Sequence, residues 1–189
     1  TGAQAICCTL ADARAASLAV AESVKLLGSL YLLVNCAGVS EWGLFDSITD
    51  AQWENMRGVN LDGVFYACRA AVPHMLHQKS GSIINIGSVT GEEGDGYGID
   101  YPTSKAGLMH GLTKSIAQFS AKYGIRCVCV SPGPVLTRPA MANMKTMLGR
   151  AAEPQEIIDL CLFIASEKGQ FINGENIMID GGRNAMKRS

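Results

Sequence analysis

The chain has 189 residues, 48% of them hydrophobic, which is enough for one globular domain with a packed core. Its 17 acidic and 16 basic residues give a net charge of -1 with no run of like charges, a pattern that argues against a nucleic-acid or membrane-surface partner. No stretch reaches the ~18 consecutive apolar residues of a membrane span. We therefore expect a small-molecule substrate, with no nucleic-acid or membrane partner.

The seven cysteines are an odd number, and most of them lie in apolar runs such as IRCVCV, where cysteine acts as a small hydrophobic residue. This usage favours a reduced, cytoplasmic compartment. Cys127 and Cys129 share one strand-like run, and no second Cys/His pair at ligand spacing accompanies them. We therefore predict no metal site.

Apolar runs of strand length alternate with longer segments of helical periodicity, which is typical of an α/β protein with a parallel sheet. The runs are nearly continuously apolar, as expected for strands covered on both faces. The pattern therefore predicts a doubly wound, Rossmann-like sheet in a single domain. The predicted strands are 3–10, 30–38, 81–88, 125–132 and 176–182. The predicted helices are 15–27, 50–57, 60–79, 101–123 and 154–166.

Two helix boundaries carry local signals: Gly124 follows a helix end, and Pro154 lies at a first turn. Segment 133–153 differs, because its prolines and glycine interrupt a short Met-rich stretch, and we interpret it as a lid loop over a site. The methionines either line that site or form an ordinary packed face at three-residue spacing. They are Met141, Met144 and Met147.

Small and polar residues end three of the predicted strands, at Asn35 to Gly38, at Ser88 and at Ser131 to Gly133. Ligands of open α/β sheets bind at the carboxyl ends of the strands. These positions therefore predict a site at which a ligand closely approaches the backbone.

Tyr101 and Lys105 are four residues apart on one predicted helix, which places the phenol and the ammonium on the same face. Lowering a phenol pKa from about 10 to near 7 requires roughly 4 kcal/mol. One cation ~4 Å away at an effective dielectric of ~20 supplies about that amount. The pair could thus act as an acid/base, with help from any further positive charge bound nearby, although such a pair alone is usually just part of an amphipathic face.

Ser88 stands thirteen residues before Tyr101, and Asn60 lies upstream in VNLDGVF. With these residues in order, the chain from about 3 to 182 resembles the classical short-chain dehydrogenase/reductase family, including members like the 3-oxoacyl-carrier-protein reductases. The resemblance implies that Tyr101 is the acid/base, Ser88 holds the reacting carbonyl, Lys105 binds the nicotinamide ribose and Asn60 keeps a water in a proton relay. Singly, Ser88 could be a helix cap and Asn60 an N-cap.

The same resemblance implies contacts with an NAD or NADP cofactor. Asp12 corresponds to the acidic residue beside the adenine, although a solvated loop aspartate is the alternative. The stretch Asn35-Cys36-Ala37-Gly38 resembles the family's NNAG signature, with Cys36 departing from it. The implied cofactor contacts are Asp12, Asn35, Ala37, Gly38, Tyr101, Lys105, Pro132, Gly133, Val135 and Thr137.

The family's opening TGxxxGxG turn, which cradles the pyrophosphate, does not occur in these 189 residues. We expect its two strands and their helices, on the order of 50 residues, to be absent, which leaves strand 30–38 at an edge. The leading hypothesis is an NAD(P)-dependent oxidoreductase interconverting a secondary alcohol and a ketone. The alternative is a catalytically inactive fragment or regulatory subunit that binds no dinucleotide. Without the residue that reads the adenine ribose, the sequence does not distinguish NAD from NADP.

The resemblance also implies a symmetric homo-oligomer, a dimer or a tetramer. Helices 60–79 and 101–123 are expected to pair across a two-fold axis, and the strand in NIMIDGG is expected to lie near another contact. Apolar residues of the second helix are the candidates for this pairing: Leu108, Leu112 and Ile116.

Overall fold

A computed structural model describes residues 3–41, 43–95 and 98–186. Its centre is a parallel four-stranded sheet in the order β1-β2-β3-β4. The strands are β1 (Leu32–Asn35), β2 (Gly81–Ile86), β3 (Ile125–Pro132) and β4 (Asn176–Ile179). The predicted Rossmann-like α/β class and four of the five predicted strands are confirmed.

The predicted strand 3–10 is wrong. Residues 3–9 form neither helix nor strand and are exposed. A strand needs a neighbour to pair its backbone N–H and C=O groups, and none of the described strands lies beside this segment. Its end instead packs near Gly63, where an added Cβ would lie 3.1 Å from the Leu10 carbonyl oxygen.

Seven α-helices lie within the described ranges. They are α1 (Ala13–Leu27), α2 (Asp50–Arg57), α3 (Gly63–Gln78), α4 (Thr90–Glu93), α5 (Asp100–Ala106), α6 (Thr113–Ser120) and α7 (Pro154–Ala165). A π-turn at Gly58–Asp62 joins α2 to α3, and a second at Gly107–Leu112 joins α5 to α6. The sequence predicted two separate helices, 50–57 and 60–79. In the structure no loop separates them, because the backbone stays helical from α2 through α3.

Both helix-boundary signals are confirmed. Gly124 adopts φ 74°, the left-handed conformation that glycine tolerates best, where the helical backbone ends at Tyr123. Pro154 is the first residue of α7, where its missing N–H costs nothing. The N-terminus of α7 is also capped reciprocally by Glu153 and Glu156.

Helices cover both faces of the sheet. On one face α1, α3 and α6 enclose an apolar cluster that includes Met75, Ile83 and Cys127. On the other face α7 covers Ile84 and Val128. Both faces of the central strands are thus buried, which explains their continuous apolar sequences.

The apolar residues proposed to support helix pairing between subunits belong to the chain's own core. Leu108 is fully buried, and Leu112 and Ile116 pack against the first apolar cluster. That part of the expectation is wrong, because the helix turns these side chains toward the sheet. The exposed aromatic residues of helices 60–79 and 101–123 include Phe65 and Phe119.

A chain of buried polar side chains crosses the first face. Asn35 Nδ2 donates to Asn85 Oδ1 at 2.8 Å, and Asn85 Nδ2 donates to Thr113 Oγ1 at 3.0 Å. Thr113 Oγ1 in turn donates to the Leu108 carbonyl at 2.8 Å, five residues back in the second π-turn. This network fixes β1, β2 and the start of α6 relative to one another.

None of the helices in the described ranges combines the length and apolar character needed to cross a bilayer.

Replacing Thr113 with valine should lower the free energy of unfolding by about 1–3 kcal/mol, because an amide donor of Asn85 and the Leu108 carbonyl would both lose a buried partner. Chemical denaturation measures this loss. Thr9→Val at an exposed position is the matched control. Equal stability of the two variants would contradict a structural role for the network.

Candidate active site

A cavity of about 820 Å³ opens at the carboxyl ends of the strands. Its wall contains Ser88, Tyr101 and Gly133, three residues that the sequence placed in the predicted site. Part of segment 133–153 forms another side of the wall, and a bridge between Val135 and Ala152 ties the two ends of this segment together.

The three methionines of this segment differ in their burial and in their position relative to the cavity. Met141 and Met144 are half-buried and line the cavity. Met147 is 64% exposed and lies outside the cavity wall, beside Gly182. The structure therefore supports the lining alternative for two of the three methionines.

Ser88 lies two residues after β2, at the beginning of α4. Its Oγ is 2.9 Å from Thr90 Oγ1 and accepts a hydrogen bond from the Thr90 backbone N–H at 3.3 Å. The hydroxyl also hydrogen-bonds the Tyr101 phenol in a way that lowers the phenol pKa. Ser88 thus accepts a hydrogen bond from an N–H at the start of α4, in agreement with its alternative interpretation as a helix cap. It also lines the cavity.

Tyr101 is in the first turn of α5, where its backbone N–H donates to Asp100 Oδ1 at 2.9 Å. Burial raises the pKa of the phenol above its ordinary value, and the Ser88 hydrogen bond and the charge of Arg138 lower it only in part. This direction applies to the protein without cofactor, so the expectation that Lys105 and an oxidised nicotinamide together lower the pKa of Tyr101 stays a prediction. Desolvation of the phenolate outweighs the favourable charges around it.

Lys105 is one turn further along α5, and its ammonium lies 5.7 Å from the centroid of the Tyr101 ring. The side chain is buried, and Nζ donates to the Ile86 carbonyl at 2.8 Å, where β2 ends. Burial lowers the pKa of this ammonium, although the nearby Cys129 and Cys36 act in the opposite direction. Because an ammonium has three N–H donors, two remain after the bond to Ile86.

The loop after β1 passes close to this ammonium. A Cβ added at Gly38 would lie 3.3 Å from Asn60 Oδ1 and 3.6 Å from Lys105 Nζ. The absence of a side chain at Gly38 therefore allows this loop to approach both predicted site residues.

Asn60 is fully buried inside the first π-turn, so its interpretation as a helix N-cap is wrong. Its Oδ1 accepts from the Val39 N–H at 2.8 Å, and its Nδ2 donates to the Val39 carbonyl at 2.9 Å and to Ser104 Oγ at 3.2 Å. Ser104 Oγ donates to the Tyr101 carbonyl at 2.7 Å. Since both amide N–H groups have protein partners, a water held by this side chain could use only a lone pair of Oδ1.

Two of the predicted cofactor contacts have their side chains engaged in the fold. The Nδ2 group of Asn35 belongs to the buried network, because it donates to Asn85 Oδ1. Asp12 is the N-cap of α1 and accepts from the Ala15 N–H at 2.6 Å, so it is neither a strand end nor a simple solvated carboxylate. Ala37 lines a separate cavity of about 230 Å³ beside β1, together with Asn35.

The predicted contacts after β3 lie along the lid. The Pro132 carbonyl accepts from the Val89 N–H at 2.9 Å, which ties β3 to the start of α4. The Gly133 N–H donates to the Ile179 carbonyl at 3.0 Å, and an added Cβ would lie 2.7 Å from Asp180 Cα. Val135 and Thr137 lie outside the wall of the large cavity.

Sequence reasoning missed three residues at this site. Thr90 contacts Ser88, and Ser104 connects Asn60 to the Tyr101 backbone. Arg138 projects from the lid into the cavity wall beside Tyr101. Of these, only Arg138 carried a usable sequence signal, since a lone cation follows Thr137 in a segment already interpreted as a lid.

Within the described ranges, no cluster of three or more His, Cys, Asp or Glu side chains is arranged to hold a metal ion.

Comparison with known proteins identifies the family. The family model described as enoyl-(acyl carrier protein) reductase matches residues 1–184. A 3-oxoacyl-[acyl-carrier-protein] reductase of Staphylococcus aureus is 36% identical over 187 residues, covering 94% of this chain and 76% of the relative. A trans-4-hydroxycyclohexanecarboxylate dehydrogenase of Sinomonas cyclohexanicum is 41% identical over 172 residues, covering 88% of this chain and 65% of the relative.

The fold has a solved counterpart in the crystal structure of gox2181, with a TM-score of 0.89 and 29% sequence identity. That match covers 96% of this chain and 76% of the solved chain. The family match, the curated relatives and the shared fold agree with the site residues that suggested the resemblance. The chain belongs to the classical short-chain dehydrogenase/reductase family of oxidoreductases, and it is similar to the 3-oxoacyl-carrier-protein reductases within that family.

Proposed function

We propose that the protein is an NAD(P)-dependent oxidoreductase that interconverts a secondary alcohol and a ketone, with Tyr101 as the acid/base. The observation that carries this proposal is the meeting of the Ser88 and Tyr101 hydroxyls in one cavity at the carboxyl ends of the strands. A ketone oxygen placed between them would accept a hydrogen bond from each. The relatives named as reductases and dehydrogenases support the reaction type.

The residues around Lys105 fit the ribose of a nicotinamide cofactor. Two of its N–H donors remain after the bond to the Ile86 carbonyl, and Gly38 leaves space beside them. The other predicted binding residues lie at the ends of β1 and β3 or in the loops that follow these strands, namely Asn35, Ala37, Gly38, Pro132, Gly133, Val135 and Thr137. A bound NAD or NADP supplies or accepts the hydride.

In ketone reduction, Tyr101 would give its phenolic proton to the carbonyl oxygen, which would become the hydroxyl oxygen of the alcohol as the carbonyl carbon receives the hydride. Burial keeps this phenol protonated at neutral pH, as a general acid must be. Ser88 donates a hydrogen bond to the same oxygen and stabilises its developing negative charge. In the oxidative direction the charges of Lys105, Arg138 and an oxidised nicotinamide favour the phenolate.

Asn60 acts as a positioning residue in this proposal. It joins the loop at Val39 to Ser104, and Ser104 joins it to the backbone of Tyr101. The loop that approaches the cofactor is thereby held in register with the helix that carries the acid.

We further propose a cytoplasmic homo-oligomer, a dimer or a tetramer, in which helices α3 and α6 pair between subunits. The exposed aromatic rings of Phe65 and Phe119 support this arrangement. The segment 133–153 is proposed to act as the substrate lid, since several of its residues line the cavity.

Tyr101→Phe should reduce turnover by at least ~10²-fold, because it removes the proton donor, and should leave dinucleotide affinity within a few-fold because the ribose contacts remain. Steady-state rates of ketone reduction and calorimetric titration with NADH and NADPH measure the two effects. Tyr123→Phe, at a tyrosine outside the cavity, is the matched control. Rates for Tyr101→Phe within a few-fold of wild type would disprove the role of this residue.

A further inference from the structure

Arg138 is an exposed cation in the wall of the catalytic cavity. It belongs to the lid and lines the same space as Ser88 and Tyr101. Among the residues that the structure describes, no side chain or carbonyl forms a hydrogen bond or an ion pair with its guanidinium.

Other arginines near the site have partners. Arg150 forms two hydrogen bonds with the Glu156 carboxylate, at 2.6 and 2.8 Å. Arg183, on the wall of the same cavity, lies 3.4 Å from Glu93. The guanidinium of Arg138 therefore keeps all of its donors for a molecule that enters the cavity.

The charges around the cavity are divided between its sides. The lid contributes Arg138 and Lys145, and no acidic residue of the lid lines the cavity. Glu93 and Asp95 lie on the side of α4, where Glu93 pairs with Arg183, and Glu41 lies in the loop after β1. An anionic group of a ligand would consequently be attracted to the lid.

Arg138 lines the same cavity as the proton donor Tyr101, so an anion bound to its guanidinium shares that space with the reacting atoms. In agreement with this shared position, the charge of Arg138 lowers the pKa of the Tyr101 phenol. Met141 and Met144 supply apolar surface in the same wall. A compact substrate with a hydrocarbon body, a ketone and an acidic group fits this arrangement.

We propose that the substrate is a small oxo- or hydroxy-carboxylate and that Arg138 binds its carboxylate, which makes Arg138 a specificity-determining residue. This inference rests on the proposed alcohol/ketone function. The planar guanidinium matches a carboxylate through two parallel N–H···O bonds, a geometry that a lysine cannot form.

The test compares 4-oxocyclohexanecarboxylate with its uncharged methyl ester, in wild type, Arg138→Gln, Arg138→Lys and the charge-matched surface control Lys168→Gln. Arg138→Gln should lower kcat/KM for the carboxylate by about tenfold or more, mainly through KM, and for the ester by less than threefold. For the carboxylate, kcat/KM of Arg138→Lys should lie between those of Arg138→Gln and wild type, and kcat/KM of Lys168→Gln should equal that of wild type. The ratio between the two substrates separates carboxylate binding from any effect on Tyr101, because that effect is common to both.

Three outcomes would overturn the inference: an equal loss on both substrates, a wild-type preference for the ester, or an Arg138-dependent preference for acetoacetyl-coenzyme A, whose anionic groups are phosphates. Calorimetric titration with 4-oxocyclohexanecarboxylate adds a readout independent of turnover. Arg138-dependent binding without reduction of any ketone would support the inference and reject the proposed function. Reduction of the carboxylate and its ester with equal efficiency in all variants would reject the inference and support the proposed function.

Discussion

The buried ammonium of Lys105 is the constraint on which the site depends. A charged group taken out of water must be compensated by hydrogen bonds, and Lys105 Nζ donates one to the Ile86 carbonyl at the end of β2. This bond pins α5 to the sheet edge, and α5 begins with the segment that carries Tyr101. The phenol is thereby held toward Ser88, while the loop at Gly38 closes over the ammonium from the direction of β1.

Two π-turns and a set of buried amides give this arrangement its precision. The extra residue in a π-turn shifts the helical register, and such turns are frequent at functional sites. The first turn places Asn60 where it can reach both Val39 and Ser104, and the second follows directly after α5 and is closed by Thr113. Because Thr113 also accepts from Asn85, the polar network that stabilises the sheet and the helix that carries the acid form one connected structure.

Periodicity and composition were sufficient to predict the strands that this chain pairs internally, since their apolar runs are buried on both faces. They failed at residues 3–10, because a strand-like sequence becomes a strand only beside a partner. That Ser88 and Tyr101 share one site followed from the family resemblance, because only Ser88 follows a strand and Tyr101 lies on a helix. The hydrogen bond from Asn35 to Asn85 could not be predicted, since the two residues are 50 positions apart in the sequence. The vacant guanidinium of Arg138 could be recognised only after the partners of the other arginines were known.

The acidity of Tyr101 is the centre of the proposed chemistry. Burial dominates the pKa of this phenol in the free protein, and the proposal relies on additional positive charge from an oxidised cofactor to favour the phenolate. The most direct test is an NMR titration of the Tyr101 ring, assigned by comparison with Tyr101→Phe. The account predicts a phenol still more than half protonated at pH 10 in the free protein, and a lower pKa once oxidised dinucleotide is bound. A pKa well below 10 without cofactor would contradict it, because Lys105 would then be sufficient by itself.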